Sequence, residues 1–189
     1  MAIRKILTYG DPLLREKAEK VHKVSAKIQK LIDDLFDTMY ANNGVGLAAN
    51  QIGELKQIFV LDCAMEDEPP QRRVFINPVI VKRTGAIISK EGCLSFPDVY
   101  TDVKRYETVT VKFMDEKGRN RVEEVREGTL LCRAIQHELD HLNGVLFVDH
   151  VVDRFSTDGL LAEHNLPAID PEKMMKEPEL DAALGQVAI

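Results

Sequence analysis

The sequence predicts an α+β fold in which mostly antiparallel β-sheets pack around one central, metal-binding α-helix. Three observations predict it. A late stretch, LCRAIQHELDHLNG from Leu131 to Gly144, sets two histidines four residues apart with a carboxylate between them. Ahead of it lies a series of short, β-branched runs, two of them joined by a hairpin turn. Strands followed by a late helix favour hairpin-connected sheets over the alternating order of a parallel sheet.

In chain order, the opening from Ile3 to Val21 has no strong period, and Gly10-Asp11-Pro12 marks a turn before Leu13-Leu14-Arg15. Its apolar residues are expected to pack onto the domain. From Ser25 to about Asn42 the pattern turns helical: Ile28, Leu31, Ile32, Leu35, Phe36 and Met39 recur at three- and four-residue spacing, Ser25 is a cap, and Asn42-Asn43-Gly44 a stop. GVGLAANQIG, from Gly44 to Gly53, brackets a valine with two glycines. That pattern suits either a close backbone approach to a ligand, with Gln51 as its polar hand, or a tight turn entering a strand. It lacks the lysine and hydroxyl of a phosphate-binding loop.

Strands are predicted at Gln57–Asp62, Val74–Val81 and Thr108–Met114, and Asp115-Glu116-Lys117-Gly118 turns the last of these back through Arg121–Val125. MEDEPPQRR between the first two reads as an exposed loop. After the histidine helix, Asn143-Gly144 is a stop and GVLFVD reads as one more strand. Residues 1–150 are taken as a single catalytic domain. Residues 151–189 form an extension whose prolines, Pro167, Pro171 and Pro178, allow only a short helix, such as Pro178 to Leu184, docked on the surface.

Composition bounds the function. The chain has 189 residues, 44% hydrophobic and 30% charged, as in an ordinary soluble domain. A net charge of −6 argues against wrapping nucleic acid by bulk electrostatics. Cys63, Cys93 and Cys132 are too few and scattered for a disulfide framework, and no stretch has the length of a secretion signal core or a membrane span. Cytoplasmic residence is the expectation.

The chemistry centres on His137, Glu138 and His141. On a helix, residues four apart lie only about 40° apart around the axis, so both imidazoles reach one cation. Glu138, one residue after the first histidine, reaches a metal-activated water without ligating the metal. Leu131, Ile135, Leu139 and Leu142 form a packing stripe on the opposite face, while Leu130 and Ala134 lie on the metal side. A catalytic metal site needs a third protein ligand. Cys93, in EGCLSFPD after the apolar stretch Gly85–Ile88, is the best candidate, with Gly92 relieving crowding beside it. Cys132 sits about 140° from His137 around the helix, which disfavours it. Cys63 reads as a buried structural thiol, and His22, His150 and His164, without partners at ligand spacing, as surface residues.

GVGLAANQ, EGCLS and QHELDH, in that order, resemble the three signature motifs of the peptide deformylases, and the similarity runs from the YGDP start to about residue 150. The resemblance implies a metal-dependent hydrolase of linear amides that removes the formyl group from the N-terminal formylmethionine of nascent polypeptides, near the ribosome. It implies one divalent ion per chain, natively Fe2+, with Zn2+ and others able to substitute, held by Cys93, His137 and His141. Glu138 is then the acid/base, and the Gln51 amide and Leu94 backbone N–H hold the developing oxyanion. Val45, Gly46 and Gly92 offer backbone groups to the peptide. The methionine side chain enters a pocket of Val45, Leu130, Arg133, Ala134 and His137, with Tyr100 as a candidate at its entrance. Arg133 either covers the pocket with its stem or forms a charged rim paired with the peptide or Glu91. A monomer or weak oligomer is expected. Competing readings are an H-E-x-x-H protease, which usually takes its third ligand downstream, a closed structural zinc module, which needs a fourth ligand, and an inactive binding protein.

Overall fold

Residues 2–65 and 67–175 are described by a computed structural model. The early helix, α1, spans Ala26–Ala41, with the Ser25 side chain accepting from the Ile28 N–H at its start and Asn42 at its end. The strands follow as β1 (Gly46–Ala48), β2 (Ile58–Leu61), β3 (Arg73–Thr84), β4 (Ile87–Cys93), β5 (Phe96–Arg105), β6 (Thr108–Met114) and β7 (Asn120–Val125). Then come α2 (Leu130–Leu142) and α3 (Arg154–Glu163). Strands β1, β2, β3, β6 and β7 form an antiparallel sheet in that order, and β4 and β5 pair as a separate hairpin.

Alternation along β2 explains the layering. Ile58 and Val60 face the cluster that includes Leu31, Leu35 and Met39 of α1, whereas Phe59 and Leu61 face the cluster that includes Ile135 and Leu142 of α2. A strand buried on both faces is therefore apolar throughout, and each of these side chains contributes about 1.5–3 kcal/mol of burial. The predicted stripe of α2 is the one that packs: Ile135 and Leu142 are buried, Leu131 and Leu139 partly so. A third cluster joins Leu14, Phe96, Val99 and Val103 to Phe147, Val148, Leu161 and Ile169, fastening the β4–β5 hairpin to the chain after α2.

Two expectations need correction. GVLFVD is not a strand: Phe147–His150 forms a 3-10 helix. Asp149 causes this, since its carboxylate accepts from the Leu146 N–H three residues back at 2.8 Å while Arg15 grips the same group. An apolar run buried on all sides carries no period to separate the two forms. The β4–β5 hairpin, conversely, was not among the predicted strands, because Ser89, Lys90 and Glu91 interrupt the apolar pattern of β4. The turn at Pro12–Arg15 is a 3-10 helix capped by Asp11. In the extension, α3 is short and docks through Thr157 and Leu161, while the predicted helix at 178–184 lies outside the described residues. Among the described residues no helix is long and apolar enough to cross a membrane.

The β6–β7 turn depends on Asp115. Its carboxylate accepts from the Lys117 and Arg119 backbone N–H groups and from the Arg119 and Arg121 guanidinium groups, at 2.8–3.0 Å. Against the opposing effect of burial, these donors hold its pKa well below the ordinary carboxylate value. A depressed folded-state pKa contributes stability above the unfolded value of about 3.9, and the contribution is lost as pH falls through the folded-state value. Asp115→Asn should therefore destabilise the chain by about 1–3 kcal/mol at pH 7, with the difference shrinking in acid below about pH 4. Thermal unfolding of both chains across pH 3–7 checks this, and equal midpoints at pH 7 would refute it.

Candidate metal centre and active-site cleft

Helix α2 begins at Thr129, whose hydroxyl accepts from the Cys132 N–H, and ends at Asn143 before Gly144. Gly144 has φ +72, and a Cβ there would collide with the Arg15 carbonyl, so both conformation and space call for glycine. Gln136 clamps the helix to the β5–β6 connection, accepting from the Tyr106 N–H and donating to its carbonyl, both at 2.9 Å. The Asn50 amide donates to the His141 carbonyl at 2.6 Å. So anchored, α2 turns His137, Glu138 and His141 toward the end of β4.

There the sulfur of Cys93 and one ring nitrogen from each of His137 and His141 lie within 4.8 Å of one another. Cys93 Sγ is 3.2 Å from His141 Nε2. Ligand atoms on one tetrahedral cation are separated by roughly 3.3–3.8 Å, so this set fits a single divalent ion. A thiolate with two imidazoles is also a donor set that iron and zinc both accept. His141 Nδ1 and Glu138 Oε2 are buried without a hydrogen-bond partner, which is costly in a site meant only for packing. Burial pushes the Glu138 carboxyl up to about 7, within reach of proton exchange near neutrality.

The site residues read from the sequence come together. Val45, Gly46, Gln51, Gly92, Cys93, Leu94, Tyr100, Leu130, Arg133, Ala134, His137 and Glu138 all line one cleft of about 490 Å³, with His141 buried at its base. Gly46 stands against Glu138: a Cβ there would collide with Oε1 and lie 2.7 Å from Leu61 Cδ2. Gln51 is oriented at both ends. Its Oε1 accepts from the Ala48 N–H at 2.8 Å, and its Nε2 donates to Ser95 Oγ at 3.1 Å and approaches Cys93 Sγ at 3.5 Å.

Other assignments change. Gly92 makes room for Tyr100, whose ring a Cβ would strike. Arg133 does not pair with Glu91; its Nε donates to the Gly128 carbonyl at 3.1 Å. His150 is no free surface group, because its Nε2 lies 3.0 Å from Asp140 Oδ2. Cys63 is half-buried, and burial pushes its thiol up to about 11, which keeps it protonated.

Behind the site lies a network of charges whose partners are far apart in the sequence. Glu91 accepts from His137 Nδ1 at 3.0 Å and from both Arg105 Nε and Nη2, at 3.0 and 2.9 Å. Arg105 also donates to Asp140. Burial works to raise the Glu91 carboxyl, yet Arg105 and His137 hold it at about 2. Arg105 likewise keeps its charge, since the two carboxylates outweigh its burial. The order Glu91, Cys93 in EGCLS is the only sequence signal for this network, as a carboxylate two residues from a ligand on a strand can share its face.

A family model for polypeptide deformylase matches residues 3–156. The chain belongs to the polypeptide deformylase family. It is 48% identical over 153 residues to peptide deformylase 1 of Clostridium acetobutylicum, covering 81% of this chain and 97% of that one. It is 45% identical over 152 residues to the peptide deformylase of Mesorhizobium japonicum, at 80% and 85% coverage. The fold agrees with the crystal structure of a peptide deformylase from Synechococcus elongatus in complex with actinonin, with a TM-score of 0.85, 41% identity, and coverage of 89% of this chain and 92% of that one. A peptide deformylase from Legionella pneumophila is similar at a TM-score of 0.78 and 41% identity, over 87% and 96% of the two chains.

Replacing Arg105 would leave Glu91 and Asp140 buried without their shared cation. Arg105→Met should lower the unfolding free energy by about 3–5 kcal/mol in urea denaturation. A loss under about 1 kcal/mol would show that the network contributes little.

Proposed function

We propose that this chain hydrolyses the formyl amide of N-terminal formylmethionine on newly synthesised polypeptides and releases formate, with Cys93, His137 and His141 holding one divalent cation. The observation that carries the reading is the convergence of those three donors beside a buried carboxyl without a partner, at the base of a cleft, in a member of the deformylase family. A bound cation would supply Lewis acidity, acidifying water and polarising the formyl carbonyl. Cys93 would bind as thiolate and the histidines as neutral imidazoles, with Glu91 fixing His137 through its other ring nitrogen.

The protein groups do the rest. Glu138 takes the proton of the attacking water and delivers it to the departing amine, a cycle that suits a carboxyl held at about 7. Gln51 Nε2 and the Leu94 N–H donate to the formyl oxygen as charge gathers there, each worth roughly 3 kcal/mol by comparison with other oxyanion sites. Gln51 needs no reorganisation for this, because Ala48 already fixes its amide.

Two strand edges frame the cleft. Among the described residues, strand β1 is the outer strand of its sheet, and β4 pairs only with β5. A peptide lying as an added strand between them would meet the backbone of Val45, Gly46 and Gly92, a mode tolerant of sequence. The Val45 carbonyl already accepts from the Asp62 N–H, so its contribution comes from its other groups. Val45, Leu130, Ala134, the Arg133 stem and the His137 ring receive the methionine side chain. Ferrous iron is the proposed native metal, with zinc able to substitute, and the setting is the cytoplasm near the ribosome. Residues 1–150 act as the catalytic unit, and the chain works as a monomer or weak oligomer.

Formate release from formyl-Met-Ala-Ser, followed anaerobically with the ferrous enzyme, tests the reading. Glu138→Gln should keep its metal and lose about 10²–10⁴-fold in kcat. An unchanged rate would remove Glu138 from proton transfer, and no release by the fully loaded parent chain would overturn the activity itself.

A further inference from the structure

A second groove, of about 760 Å³, shares no lining residue with the cleft among the described residues. Its walls include Val79, Ile88 and Val152, each more than half exposed. Lys17, Lys20 and Arg83 are exposed cations along it, and Arg83 stands 5.0 Å from the centre of the Tyr106 ring. At its floor lies the Arg105–Asp140 pair that backs onto the metal centre. A surface that combines open apolar side chains with a cationic margin calls for an occupant that is both apolar and acidic.

We propose that this groove seats the chain's own residues 176–189. The described chain stops at the groove: Met175 lines it, and the Met175 N–H donates to the Asp149 carbonyl at 2.9 Å. The segment that continues from there, KEPELDAALGQVAI, carries Glu177, Glu179 and Asp181 to face the cations. It also carries Leu180, Leu184, Val187 and Ile189 to cover the apolar wall. Its reach is ample, since each extended residue spans about 3.3–3.6 Å. Tethering at Met175 makes docking intramolecular, with an effective concentration in the millimolar range, so even a weak intrinsic affinity fills the groove. Three acidic groups meeting three cations would also make the docked state sensitive to salt.

Amide NMR spectra of the zinc-loaded full chain and of a chain ending at Met175 test this without reference to activity. Removing residues 176–189 should shift the amides of Ile80, Arg83, Ile88 and Val152. A synthetic peptide of residues 176–189 should reverse those shifts in the shortened chain, with a dissociation constant of about 1 mM or tighter, and should shift nothing in the full chain. Lys20→Glu with Arg83→Glu should weaken the peptide at least tenfold and, in the full chain, reproduce the shifts at Ile88 and Val152. Unchanged groove amides on truncation, or a peptide that fails to restore them, would overturn the proposal. Shifts that follow protein concentration would also overturn it, by making the groove a contact between copies.

Discussion

The structure depends on how β4 is tied to α2. One strand delivers both the Cys93 sulfur and the Glu91 carboxylate, and both reach histidines of the same helix. Glu91 cannot sit there alone, since a buried carboxylate without a counter-charge is costly. Arg105 on β5, the hairpin partner of β4, neutralises it and reaches on to Asp140 of α2. The hairpin and the helix are thus joined by ion pairs where the donor atoms must meet, and a register shift between Gly92 and Cys93 lets the strand turn its last residue toward the site.

The five-stranded sheet serves a different purpose. It is a rigid partition with α1 on one face and α2 on the other, and its edge strand β1 runs along the cleft. Gly46 on that edge leaves no room for a side chain between strand and Glu138, which keeps the carboxyl close to the strand backbone. Burial of the carboxyl and openness of the strand edge follow from the same close approach. Strain in this arrangement is avoided by glycine, not stored.

Much of this could be read from residues alone, and the exceptions have physical causes. The His137–His141 helix, α1, and the strands around β2, β3, β6 and β7 all carry a clear period or a turn signal. The convergence of Cys93, His137 and His141 beside the cleft was legible because side chains able to bind a metal are chemically distinctive even at long separations. Arg105, Asp140 and His150 were not, because an ion pair between distant residues leaves no pattern in either neighbourhood. His150 looked like a surface group for the same reason. Phe147–His150 was misread since Asp149 and Arg15, 134 positions apart, decide its conformation together.

Metal-edge X-ray absorption on the zinc-loaded chain addresses the centre most directly. The donor set at Cys93, His137 and His141 predicts one sulfur neighbour at about 2.3 Å together with imidazole nitrogens at about 2.0–2.1 Å. A spectrum described by nitrogen and oxygen neighbours alone would contradict it.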